Sequence, residues 1–194
     1  MNTPPIRPQA RLSALLVLLL TLAALGLGWL VKLQVEGPAR IVSQAGISLA
    51  VPSGWAVTAG PPGQLLVCWN VLAPEHRCSV SLLPSGEDVS LATVASQRQF
   101  QRGATLSHFR VLDQTPVLVK GREGYKVAYA FVDPGATGQL PVVVEGAEYY
   151  FPLEGQVVVL NFEDNAATFE QSSADFQRML GSITFEETGR GEGN

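Results

Sequence analysis

The sequence predicts an α+β fold: an α/β/α sandwich with a mostly antiparallel sheet, preceded by one N-terminal transmembrane helix. Three observations carry that expectation. Residues 12–31 hold no charge, and twenty helical residues rise about 30 Å, the thickness of a hydrocarbon core. Beyond them strand-like runs dominate, interrupted by two stretches of helical spacing. Several of those runs are apolar on both faces: Leu65, Val67 and Trp69 oppose Leu66 and Cys68, which calls for cover on both sides of the sheet. An all-β sandwich is the runner-up.

The apolar run is read as an uncleaved anchor, with a cleaved signal peptide as the alternative. A signal's apolar region is usually about 7–15 residues and ends at a small-x-small site. Here the run is longer, and Gly26-Leu27-Gly28 followed by Trp29 is a poor cleavage site. Trp29 and Lys32 suit the far interface of a span. Arg7 and Arg11 precede it with no acid among them, while Lys32 is followed by Glu36 and Arg40. The positive-inside tendency keeps the N-terminus in the cytoplasm and sends the rest outside. The resulting plan is a cytoplasmic tail at 1–11, a signal-anchor at 12–33 contacting the lipid bilayer, and a connector at 34–44. A folded extracytoplasmic domain at 45–185 and a disordered tail at 186–194 complete it. The location is a cytoplasmic membrane, single-pass, with the domain periplasmic or extracellular.

Within the domain, strands are expected at residues 47–51, 65–71, 78–83, 108–112, 125–131, 148–153 and 156–162. The last two flank a tight turn at Glu154-Gly155. Gly and Pro mark residues 133–141 as a loop. One helix is expected over residues 166–181, with Asp164 or Asn165 as its cap and Phe169, Phe176, Leu180 and Ile183 as its apolar stripe. A second, over residues 89–102, has a split pattern: Leu91, Val94 and Ala95 on one face, Val89 and Phe100 on another.

Cys68 and Cys78 are the only cysteines. In an exported domain an even count favours a disulfide. Setting Cys68 opposite Cys78 places Leu66 opposite Val80 on the same face, so the register that joins the sulfurs also aligns apolar residues. Free buried thiols, or a metal or redox role, are the alternatives. The spacing is not that of a C-x-x-C redox motif, and no second Cys or His pair completes a zinc site.

The motif order resembles the PsbP-like superfamily, α/β/α domains that include extrinsic photosystem lumenal proteins and many exported bacterial relatives. Ile47 to Val51 followed by Pro52-Ser53-Gly54-Trp55 is similar to the strand and turn that open such domains. Gly121-Arg122-Glu123-Gly124-Tyr125, with Tyr129, is similar to the Gly-Arg turn feeding a central strand. Gly155 to Phe162, then Phe169, Phe176, Met179-Leu180 and Ser182-Ile183, resemble the terminal hairpin, helix and last strand. The likeness spans residues 45–185. It implies a domain that is not an enzyme and docks onto other proteins, often membrane complexes, to stabilise or assemble them. No metal-ligand motif is present to carry over.

The residues offer no catalytic constellation either. The only histidines are His76, in an expected solvent-exposed turn, and His108, at a strand start beside Phe109. No Gly-x-Ser-x-Gly, Ser-x-x-Lys or His-Glu-x-x-His motif occurs. Glu145 and Glu148 are read as loop carboxylates rather than paired acids. Gly60-Pro61-Pro62-Gly63 lacks the N–H donors of a phosphate cradle, and Gly121 to Gly124 is read as a hairpin turn. No cofactor and no metal site are expected.

Charge sharpens the partner question. Charged residues make up only 15% of the chain, against roughly 25% in an ordinary soluble domain. Setting aside Arg7, Arg11 and Lys32, which flank the span, leaves 10 basic against 17 acidic residues, a charge of −7. Nucleic acid and anionic headgroups are therefore poor partners, and a protein partner or membrane complex is expected. Among the aromatics, Trp55, Trp69, Tyr149 and Tyr150 are the candidate contacts wherever they are exposed. A small-molecule or lipid carrier with an apolar pocket is the alternative function.

Overall fold

The structure, a computed structural model, describes residues 8–35, 37–86, 89–135 and 139–186, with side chains of the first helix from 15 to 32. The chain divides into two compact units, 1–38 and 39–194.

The first unit is helix α1 (Pro8–Val35). Its window Leu15–Lys32 is long and apolar enough to cross a membrane, and none of it is buried. The helix starts at Pro8, ahead of the uncharged run, because proline's fixed φ suits a first helical turn. Residues 8–11 are thus helix, and residues 1–7 lie outside the described residues.

The second unit is the expected α/β/α arrangement. Its centre is a seven-stranded antiparallel sheet, built from β3 (Trp55–Ala59), β4 (Gln64–Asn70), β5 (Arg77–Pro84), β6 (Ser107–Val119), β7 (Arg122–Asp133), β8 (Val142–Leu153) and β9 (Gln156–Asn165). The spatial order is β3-β4-β5-β9-β8-β7-β6. One face carries helix α2 (Leu91–Thr105). The other carries helix α3 (Phe169–Ser182) together with a small sheet of β1 (Arg40–Gln44), β2 (Ile47–Val51) and β10 (Thr184–Phe185).

Residues 40–44, expected in the connector, are strand β1. The turn to β2 runs through Ala45 and Gly46 at φ 50° and 74°, the left-handed pair that a two-residue hairpin requires. Strand β3 was also unforeseen, and β8 begins at Val142, well before the expected residue 148. Strand β6 runs on past Leu112 to Val119 as a bulged edge strand, the position in a sheet where Pro116 is tolerated. A hairpin does join β6 to β7, but its turn is at residues 120–121: Arg122, Glu123 and Gly124, expected in the turn, already pair as strand β7.

The register across β4 and β5 is the one the cysteines called for: Cys68 pairs with Cys78 and Leu66 with Val80. Both thiols are buried and unbonded in this structure. Cys78 lies against Cys68, and the hydrogen bond between them, with burial, raises its pKa well above the ordinary 9.0.

Helix α3 starts at Phe169 rather than 166. Its N-cap is Thr168, with no side-chain cap bond. The expected caps hold the preceding turn instead: Asn165 N donates to Asp164 Oδ1 at 2.6 Å, and Ala167 N donates to Asn165 Oδ1 at 3.0 Å. The apolar stripe packs as expected, with Phe176 stacked on Phe162 at 4.8 Å between centroids. In α2, Ser90 caps the helix by accepting from Thr93 N at 3.2 Å. The expected tail beyond Glu186 lies outside the described residues.

Candidate functional site

Strand alternation sends Tyr129 of β7, Glu148 and Tyr150 of β8, and Asn161 and Glu163 of β9 to the α2 face of the sheet. From above, Arg98, Gln99 and Arg102 point down, since positions i, i+1 and i+4 share a helix face. Glu148 is fully buried. Its Oε1 accepts from Arg98 Nε at 2.8 Å and from an Arg102 terminal nitrogen at 2.7 Å. Its Oε2 accepts from Gln99 Nε2 at 2.6 Å and from the Tyr150 hydroxyl. Arg102 also donates to the Tyr129 hydroxyl at 2.8 Å and to Glu163, and its guanidinium lies 4.3 Å over the Tyr129 ring. Asn161 Nδ2 donates to Glu163 Oε1 at 3.2 Å, and the Asn161 carbonyl lies 2.7 Å from the Tyr129 hydroxyl.

The electrostatics follow from burial and pairing. Burial alone would raise the Glu148 pKa, but the Arg98 and Arg102 charges outweigh it and hold the carboxyl below its usual 4.5. Burial, then the Glu148 charge and hydrogen bond, push the Tyr150 phenol up. Tyr129 rises through burial and the Glu163 charge. Glycine makes room for this ring: Gly146 pairs with Tyr129 across the ladder, and a Cβ there would stand 2.5 Å from the hydroxyl.

The network edges an open cleft. Helix α2 lies over β6, β7 and β8, and beyond it the same sheet face has a cleft of about 280 Å³, lined by Gln64, Arg77, Ser79, Arg98, Arg102 and Asn161. A second cleft of about 210 Å³ is lined by Glu75, Phe131, Asp133, Val142 and Val144. Arg77 and Glu163 line both, so the two clefts adjoin at this cross-strand pair.

Glu145 and Glu148 are therefore strand residues, not solvated loop carboxylates. The loop reading of Glu148 failed because its partners come from a helix about fifty positions earlier. Arg98 and Arg102 were not singled out from the sequence, although their i, i+4 spacing under a split helix pattern was the available signal. Of the four aromatic candidates, Trp55, Tyr149 and Tyr150 are buried in the two cores and only Trp69 keeps partial exposure. Among the described residues of the second unit, the exposed aromatic is Phe100 on α2, at 81%.

His76 is not a free turn residue: its Nε2 lies 3.3 Å from Asp164 Oδ2. Ser172 donates to the same oxygen. The aspartate stands between the two, so the serine–histidine contact that activates a nucleophile is not made. His108 is an exposed strand residue at φ 53°. Among the described residues no group of three metal-ligating side chains gathers.

No family model and no curated protein matches the chain. Solved structures do match it. A cyanobacterial PsbP (CyanoP) from Synechocystis sp. PCC 6803 superposes with a TM-score of 0.59 at 13% identity, covering 76% of this chain and 92% of that one. The Ran-binding protein Mog1p of Saccharomyces cerevisiae gives 0.55 at 15%, covering 77% and 96%. LpqN of Mycobacterium tuberculosis, involved in cell envelope biogenesis, gives 0.52 at 15%, covering 76% and 90%. At such identities the likeness is one of architecture: the unit beginning at Ala39 has the PsbP-like α/β/α fold.

Proposed function

We propose that the protein is a single-span membrane protein whose domain lies outside the cytoplasm and docks onto a protein partner or membrane complex, without catalysing a reaction, as an assembly or stabilisation accessory. The observation that carries this reading is the uncovered half of the sheet beside α2, where charged side chains held by buried partners border open clefts. The span-like helix and the basic flank ahead of it support the topology. The neighbours' descriptions, a Ran-binding protein and a cell-envelope biogenesis protein, are in keeping with it.

Mild crosslinking of intact membranes is expected to give a discrete higher-mass adduct containing a second protein. Recovery only as a free monomer would overturn the docking role. A small-molecule or lipid carrier is supported less, because both clefts are open to solvent and the apolar wall at Phe131, Val142 and Val144 is rimmed by Glu75, Arg77 and Asp133, whereas an acyl chain needs an enclosing apolar pocket.

The cysteines belong to the same proposal. Outside the cytoplasm, the disulfide of an exchange protein takes two electrons from the Cys68 and Cys78 thiolates, closes the cross-strand bridge and leaves as a dithiol. Directly paired positions favour that bridge. Denatured, unreduced protein from its membrane is expected to resist thiol alkylation until a reductant is added. Alkylation of both residues without reductant would exclude the bridge.

A further inference from the structure

We propose that the two adjoining clefts together are the docking site itself, and that they hold a partner polypeptide segment carrying one acidic side chain next to an apolar one. This rests on the docking function proposed above and adds its chemistry.

The acidic side chain is assigned by two arginines held the same way. Arg98 is anchored through Nε on Glu148 at 2.8 Å, and Arg77 through Nε on the Pro74 carbonyl at 3.1 Å. The terminal nitrogens of both have no hydrogen-bond partner among the described residues, and both side chains line the same cleft. A guanidinium fixed at Nε presents its remaining N–H groups as a planar fork, the geometry that grips a carboxylate through two bonds.

Glu163 narrows the choice of oxyanion. It lines the cleft, and its Oε2 accepts no hydrogen bond among the described residues, so its charge opposes a dianion more than a monoanion. A carboxylate fits better than a phosphate.

The second cleft assigns the apolar neighbour and the polypeptide. Phe131, Val142 and Val144 offer an apolar wall on the same sheet face, reached past Arg77. Glu75 and Asp133 also line that cleft and repel a second acid there, so a polyacidic chain is excluded. Adjoining open clefts, one cationic and one apolar, suit an extended segment, not a free ion.

The test uses the full chain in lipid nanodiscs and three probes: acetyl-Glu-Val-Leu-amide, its Gln counterpart, and inorganic phosphate. The Glu peptide is expected to bind about tenfold tighter than the Gln peptide, the scale of one charge-assisted contact. Arg77→Gln and Arg98→Lys are each expected to abolish most of that preference. Arg98→Lys keeps a positive charge beside Glu148, and Arg77 is exposed and outside the buried network, so folding is preserved for the comparison. Equal binding of the two peptides, a preference retained in both variants, or phosphate displacing the Glu peptide would overturn the proposal. The peptide preference without any adduct in membranes would leave the cleft's chemistry standing and remove the docking role. An adduct without the preference would do the reverse.

Discussion

The two faces of the seven-stranded sheet are closed by different means. On the α3 side, Phe162 lies between Phe169 and Phe176, at 5.4 and 4.8 Å between centroids. Around them Leu49, Val51, Val80, Leu160 and Met179 are essentially inaccessible. On the α2 side Val94 and Ala95 of the helix meet a smaller apolar patch of the sheet, Val127, Tyr150, Val157 and Val159. The rest of its contact is a charged network centred on Glu148. An apolar face gains by excluding water everywhere, so it is sealed. A buried ion pair has no such general advantage over apolar packing, though breaking one by removing a single partner is costly. The first face is held chiefly by apolar packing, whereas the second is held partly by charge pairs that also leave Arg98 and Arg102 lining an open cleft.

Breaking either face should be costly, but in different ways. Phe162→Ala removes the middle ring of the stack and is expected to destabilise the domain by about 3–5 kcal/mol, read from the denaturation midpoint. Arg102→Met strips a partner from Glu148, Tyr129 and Glu163 together, and breaking buried pairs of this kind costs about 3–5 kcal/mol. The two are separated by acid titration. The folded Glu148 carboxyl titrates below its usual 4.5, so its contribution to stability is complete above that value and drains as pH falls through the lower one. Glu148→Gln is expected to flatten the acid limb of the stability–pH curve, whereas Phe162→Ala should shift the whole curve down and leave its shape.

Smaller changes sharpen the contrast. Gly146→Ala crowds the Tyr129 hydroxyl and is expected to cost roughly 1–3 kcal/mol, as overpacking does, while displacing the ring from Arg102. Tyrosine fluorescence and the thermal midpoint would both move, and an unchanged spectrum would show that the ring is not held as described. Ser90→Ala, which removes only the cap of α2, should cost about 1 kcal/mol in the thermal midpoint.

How much of this was legible in the sequence divides along the same line. The α3 face was read well because its signals are local: alternation in residues 78–83, the apolar run 157–160 following the Glu154-Gly155 turn, the stripe from Phe169 to Ile183, and a cysteine register that also aligned Leu66 with Val80. Strand β1 escaped because four of its five residues are exposed and the fifth only half-buried, which leaves no alternation to detect. The first half of β8 escaped because Val142, Val143 and Val144 form a run of only three, set between the Gly/Pro-marked loop and Gly146, too short to stand out as a strand. The polar network escaped for a deeper reason. A buried glutamate is written in the chain like any surface glutamate, and only the fold brings Arg98 and Arg102 to it.

The most direct test of the account places a photoreactive residue at Val67, which lines the cationic cleft, or at Ala174, on the exposed side of α3, and irradiates intact membranes. A discrete protein adduct is expected from position 67, weakened by Arg77→Gln, and none from position 174. Equal capture from both positions, or an adduct from position 174 alone, would contradict the assignment of the open α2 face as the docking surface.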